Sequence, residues 1–183
     1  PTSAGLYCPE EAKEWIRDEE PVINNMYQHL EKGVEIVDVY PVLKQHMDED
    51  IYSNLALIPF TLAGFTWHSA EQYFQAAKFT DAAIIQRIQE CQNPFRCASL
   101  GQTRRFKIRD DWETIKVSVM ETAIRARFAQ HPELAHILTL SRHPLSDHSA
   151  ADSFWGPGVD GHGTNMTGQI LMQIRRELQA NLK

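Results

Sequence analysis

The chain has 183 residues, 43% of them hydrophobic, and a formal net charge of −6. That length supports one compact domain with a real core, and no apolar run approaches the ~18 residues a membrane span needs. Residues 1–50 hold 4 Lys+Arg against 12 Asp+Glu, a balance of −8, whereas residues 51–183 hold 14 against 12, a balance of +2. The acidity therefore belongs to the N-terminal segment, and the remainder does not disfavour an anionic ligand. Cys8, Cys91 and Cys97 are odd in number and lack a CxxC spacing. That argues against a zinc site or a disulfide framework and for a reducing, cytoplasmic compartment. The eight histidines form no HxxxH-type pair, so neither a metal nor a cofactor is expected.

In chain order, residues 9–20 (PEEAKEWIRDEE) read as a charged helix with Pro9 at its start, and residues 22–32 as a second helix stopped by Gly33. Residues 34–40 alternate as a strand that Pro41 ends. Residues 42–50 are a loop or short helix, residues 51–60 a short strand and turn, and residues 62–67 a hairpin through Gly64. A helix follows, then another over 81–91, a break at Asn93-Pro94, and a short helix over 95–101 capped by Gly101. Residues 102–111 form a basic loop or, because Phe106 and Ile108 alternate with the charges, an edge strand. A long helix spans 112–128, with Ile115, Val119, Ala123 and Phe128 on its apolar face, and another spans 132–140. A loop over 141–155 leads to a glycine-rich stretch over 156–165 and a last helix over 167–178. The sum is an α+β protein, predominantly helical with a few short strands, in a single compact domain.

Residues 66–79, TWHSAEQYFQAAKF, are the stretch the rest is organised around. Ser69 is a good N-cap, and Gln72 three residues on completes a capping-box pattern. Ala70, Tyr73, Phe74 and Ala77 make the apolar stripe, and Glu71, Gln75 and Lys78 share one face along its edge. A carboxylate, an amide and an amine thus stand where the helix meets the core, a setting in which pKa values move. The same spacing also describes an ordinary charged helix flank.

Three further groups could carry chemistry. Five of the nine glycines lie between Gly156 and Gly168, flanked by Trp155 and containing Asn165. Such a loop before a helix can cradle phosphate, or be only a surface turn. Arg104, Arg105, Lys107 and Arg109 precede Trp112 and suit phosphate contacts, or a solvated face. Glu71 and Asp152 each sit near a tryptophan, Trp67 and Trp155, and paired carboxylates serve glycoside cleavage.

Taken together, YSNL at 52–55, PF at 59–60, WHSAEQYFQAAKF, NPF…GQTRRFKIRDDW, Met120…Ala126-Arg127-Phe128, DSFWGPGVDGHGTN and LMQIRREL resemble the NADAR, or YbiA-like, family. The resemblance runs from about residue 34 to the C-terminus, leaving residues 1–33 as an acidic helical extension ahead of a catalytic domain over 34–183. It implies a hydrolase of N-glycosidic bonds in ribose-phosphate compounds. One functional group in the family cleaves phosphoribosylamino-pyrimidine intermediates of riboflavin synthesis; the other removes ADP-ribose from guanine in nucleic acid. The implied partners are a ribose-phosphate nucleotide or ADP-ribose substrate and ADP-ribosylated DNA, with no membrane.

By the same resemblance, Lys78, Glu71 and Asp152 are the catalytic set. Asn54, Trp67, Ser69, Gln75, Arg104, Arg109, Trp112, Trp155, Gly156, Gly163 and Asn165 are the implied substrate-binding residues. Two departures from the family pattern stand out, Gly101-Gln102 in place of Gly-Arg and Leu145-Ser146-Asp147 in place of Leu-Val-Glu.

Overall fold

The computed structural model describes residues 51–147 and 152–181, and residues Ile51–Lys183 cluster as one compact unit. The readings made for residues 9–20, 22–32 and 34–40 lie outside the described residues. Among the described residues the elements are two strands, β1 (Phe60–Leu62) and β2 (Phe65–Trp67), then six helices. The helices are α1 (Ala70–Ala77), α2 (Ala82–Gln89), α3 (Pro94–Gly101), α4 (Trp112–Gln130), α5 (Pro132–Leu140) and α6 (Met166–Asn181). This is the α+β, predominantly helical architecture expected.

The strands pair antiparallel, Phe60 opposite Trp67 and Leu62 opposite Phe65. Their two-residue turn, Ala63-Gly64, has φ of 54° and 78°. Two positive φ values match the twist of a primed hairpin turn, a role for which Gly64 is suited and Ala63 is not. The expected strand within 51–60 starts only at Phe60, and what precedes it is turns. The carbonyls there are held from a distance. Arg127 of α4, fully buried, donates to the Ser53 carbonyl at 2.6 Å, and the Gln130 side chain brackets both backbone groups of Thr61.

Helix α1 is the hub, packed against α2, α3, α4 and β2. Ser69 caps it, accepting from Gln72 N at 3.1 Å. The reciprocal bond of a capping box goes elsewhere: Gln72 Oε1 accepts from His68 N. The Gln72 amide then donates to the carbonyls of Ile88, Gln89 and Cys91, which fastens the end of α2. The buried residues of α1 are Ala70, Glu71, Gln72, Phe74, Gln75 and Ala76. Tyr73 and Ala77, expected in the apolar stripe, are only half-buried. With α3 and α4 covering it, this helix is buried nearly all round, so its polar edge lies inside the protein.

Asp81 caps α2 and Asn93 caps α3, with Pro94 at the first helical position. Gly101 is not the cap of α3 but its last helical residue. On α4 the buried face is Trp112, Met120, Ala123, Ile124, Arg127 and Phe128, so Ile115 and Val119 lie beside the buried stripe. Arg125 of α4 forks onto Glu177 of α6, and Arg175 of α6 donates to the carbonyls of Ser141 and His143 beyond α5. No helix among the described residues is long and apolar enough to cross a membrane.

The turn yields a test. Ala63→Asn places a residue that tolerates the left-handed region before Gly64. It should stabilise the fold by about 1 kcal/mol, read as a higher midpoint in urea with an unchanged slope.

Candidate functional site

The site is built outward from Glu71. The capped first turn of α1 presents this carboxylate inward, where it is 6% exposed. Two amides meet it: Asn54 Nδ2 donates to Oε2 at 2.6 Å and Gln75 Nε2 donates to Oε1 at 2.6 Å. Glu71 N donates in turn to the Asn54 carbonyl at 2.9 Å, so the 51–55 loop and the helix start are fixed as one piece. Burial pushes the Glu71 carboxyl above its ordinary 4.5, and the charge of Asp147 adds to the rise. Gln75, Lys78 and Asn54 oppose it without cancelling it.

Lys78 sits two turns along the same face. Its ammonium donates to the Gly101 carbonyl at 3.4 Å and lies 5.8 Å from the Phe74 ring centre and 5.9 Å from that of Trp112. Burial lowers its pKa below the ordinary 10.5, and Glu71 and Glu113 pull it part of the way back. The acid and the amine are thus displaced toward each other. At a given total charge, each unit by which their pKa values converge raises the fraction of the neutral acid–neutral amine pair about tenfold.

Aromatic rings wall this pair. Phe74 packs on Trp112 at 4.9 Å and edge-on to Trp155 at 5.2 Å, and Trp155 meets Phe154 at 5.1 Å. Trp112 and Trp155 thus come from opposite ends of the described chain to the flank of α1 that carries Lys78. Lys78 is also tied to the basic segment, since Arg109 N donates to its carbonyl at 2.9 Å and Ile108 bridges Phe79. The edge-strand alternative for this segment is therefore realised as that single bridge.

Other expected residues take different places. Asp152 Oδ1 accepts from the backbone N–H groups of Phe154 and Trp155, both at 2.8 Å, which makes it the residue that closes a turn. The second carboxylate whose charge acts on Glu71 is Asp147. Trp67 donates from its indole to the Leu62 carbonyl across the hairpin and packs on Tyr73. Two residues along a helix is about 200°, so Tyr73 faces away from Glu71 and Trp67 does not join the trio. Ser69 is fully buried as the cap. Arg109 is forked onto Asp111 at 2.6 and 2.9 Å, whereas Arg104 is exposed and makes no ion pair among the described residues.

The glycine-rich stretch is a knot rather than an open cradle. Gly163 N donates to the Pro157 carbonyl, Thr164 N to Ser153, Asn165 N to Gly156, Met166 N to Phe154 and Thr167 N to Trp155. These N–H groups, including the first two of α6, are occupied within the loop. Gly163 is required by close approach, since a Cβ there would meet the Pro157 carbonyl carbon at 2.6 Å and the Gly156 oxygen at 2.7 Å. Buried Gly156 supplies the carbonyl that seats Asn165.

Asn165, at φ 50°, uses its side chain as a bracket: Oδ1 accepts from Asp147 N at 3.0 Å and Nδ2 donates to the Leu145 carbonyl at 2.9 Å. It thereby sets the loop that carries Asp147. Sequence reasoning passed over Asp147 and Arg127. Asp147 stood in view as a departure from the family pattern, and Arg127 as a charge at i+3 and i+4 from the apolar residues Ile124 and Ala123. Gly101 was read as a cap, but a Cβ there would run into the Gln75 amide.

Fold and site together define a compact α+β protein with a buried acid–amine pair behind an aromatic wall. The NADAR domain model matches residues 34–179, and the chain belongs to that family. It is 36% identical over 159 residues to N-glycosidase YbiA of Escherichia coli (strain K12), covering 86% of this chain and 97% of that one. It is 35% identical over 132 residues to N-glycosidase Npun_R5314 of Nostoc punctiforme, covering 70% and 85%. It is also 35% identical over 152 residues to the riboflavin biosynthesis protein VVA0006 of Vibrio vulnificus, covering 76% of this chain and 41% of that one. The NMR structure of Escherichia coli YbiA superposes with a TM-score of 0.66 at 37% identity, over 71% of this chain and 78% of that one.

The bracket can be tested without disturbing the backbone. Asn165→Gly keeps the positive φ accessible but removes two side-chain hydrogen bonds, so stability should fall by about 1–3 kcal/mol. Because Asp147 loses its anchor, turnover should fall by more than substrate affinity.

Proposed function

We propose that this chain is an N-glycosidase of ribose-phosphate compounds, and that its substrate is ADP-ribose joined to guanine in nucleic acid. The observation that carries the reading is the convergence of the Glu71 and Lys78 pKa values inside one buried face. A neutral Lys78 amine attacks the anomeric carbon and the sugar ring opens. The resulting Schiff base is hydrolysed by water. Glu71 delivers a proton to the ring oxygen or the departing base and takes one back from water. Asp147, held by Asn165, offsets the positive charge that develops at the anomeric carbon. Trp112 and Trp155 give the base an aromatic surface.

The guanine choice is supported by the basic segment docked on the Lys78 carbonyl, which brings Arg104 and its neighbours to the end of the helix carrying the trio. The glycine knot no longer supports a second phosphate cradle, because its N–H groups are occupied. A second reading is favoured by the riboflavin-biosynthesis relative: the substrate is then a phosphoribosylamino-pyrimidine. A side-by-side assay of ADP-ribosylated guanine DNA and that pyrimidine decides between them by which base is released. Tight ADP-ribose binding with no release of either base would instead make the chain a nucleotide-binding module.

The mechanism makes two predictions. Borohydride added during turnover should trap a covalent adduct on Lys78. Lys78→Ala should abolish both adduct and turnover; near-normal turnover in that variant rules the amine out as nucleophile and leaves Glu71-assisted hydrolysis. The second concerns pH. Turnover needs Lys78 deprotonated and Glu71 protonated, so its profile is a bell. Glu71→Gln should lower turnover by about 10²–10⁴-fold. It also removes the negative charge that holds Lys78 protonated, so the acidic limb of trapping should move to lower pH.

A further inference from the structure

A groove of about 660 Å³ lies among α2, α3 and the basic segment. Arg87 of α2, Arg96 of α3 and Arg105 of the segment line it, against the single carboxylate of Glu90. All three arginines are exposed, and none of their guanidinium groups has a hydrogen-bond or ion-pair partner among the described residues. That is unlike Lys107, Arg109, Lys116 and Arg125, each of which is paired with an acidic side chain. Three unpaired cations from three different elements facing one concavity, in a chain of net charge −6, focus a local positive field.

Aromatic surface accompanies the charge. Phe106 lines the groove, and Phe95, at 61% exposure, stands beside Arg96. Phe95 is one helical turn before Ser99, which also lines the groove and whose hydroxyl donates to the Phe95 carbonyl. Exposed phenylalanine next to unpaired arginine serves no purpose in the core. It matches the platform on which single-stranded nucleic acids bind, where cations follow the phosphates and rings stack the bases. The groove is also distinct from the cleavage site, since the Glu71–Lys78 face meets α3 at Gly101, and Ser99, Leu100 and Thr103 of the groove lie on other sides of that turn.

We propose that this groove is a docking surface for a single nucleic-acid strand, which holds the polymer while one modified base enters the cleavage site. The inference rests on the nucleic-acid reading of the substrate given above. A free phosphate or a small nucleotide would not need three cations on three elements with an exposed ring at the rim.

The test is fluorescence anisotropy of an unmodified single-stranded oligonucleotide of about 12 nucleotides with the full chain. The strand should bind, and Arg87→Ala/Arg96→Ala should weaken it tenfold or more. The double variant should also reduce the slope of log Kd against log salt by about 1. Phe95→Ala should weaken binding by about fivefold or more with the salt slope unchanged. Release of base from a mononucleoside substrate should be unaltered in these variants. No binding by the wild-type chain, or equal binding by the double variant, overturns the proposal, as does displacement of the strand by inorganic pyrophosphate or polyglutamate at equal charge. The two readings separate cleanly. A chain that binds the strand through these arginines yet cleaves only the pyrimidine keeps the groove and loses the guanine substrate. A chain that cleaves ADP-ribosyl-guanosine without binding the strand does the reverse.

Discussion

Holding a carboxylate inside the protein is the constraint from which the rest of this structure follows. Removing an ion from water costs several kcal/mol unless hydrogen bonds replace the lost hydration. Glu71 receives such bonds from Asn54 and Gln75, and each donor requires support of its own. Asn54 lies on an irregular loop, so the carbonyls beside it are seized by a buried arginine from α4. Gln75 lies under the end of α3, so that end has no side chain at Gly101. The hub position of α1 is the geometrical form of the same demand: only a helix covered on most sides can bury a carboxylate on its polar edge.

The neighbouring amine is treated differently. Lys78 is given aromatic faces and one long hydrogen bond to a carbonyl rather than a close carboxylate. A tight ion pair would fix the ammonium form and remove the nucleophile. A fully exposed amine would also stay protonated at neutral pH. Partial burial beside a distant charge lies between those limits, where proton exchange between acid and amine is easiest.

Much of this was legible in the residues. The cap at Ser69, the hairpin through Gly64, the start of α4 at Trp112 and the Glu71–Gln75–Lys78 face all follow from local spacing, because caps, turns and helical periodicity are short-range physics. What was not legible depends on contacts between distant segments. The glycine-rich stretch has the composition of a phosphate loop, but its N–H groups turn inward, which only the folded backbone reveals. Asp152 and Asp147 are equally plain loop aspartates in the sequence. Which of them acts on Glu71 is decided by the Asn165 bracket, 18 residues beyond Asp147. The apolar stripe of α4 was displaced because a buried arginine counts as polar in any periodicity argument, although here Arg127 belongs to the core.

The buried Arg127 has a kinetic meaning as well. Its bond to Ser53 spans 74 residues, and the Gln130 bonds to Thr61 span 69, whereas the helices close over three or four. Loop-closure entropy must be met before such contacts return anything. The helices of this chain can therefore form early, while the loop that presents Asn54 is seated only once α4 reaches back to it. Catalytic competence arrives with the last long-range closure, and a collapsed intermediate rich in helix would still be inert.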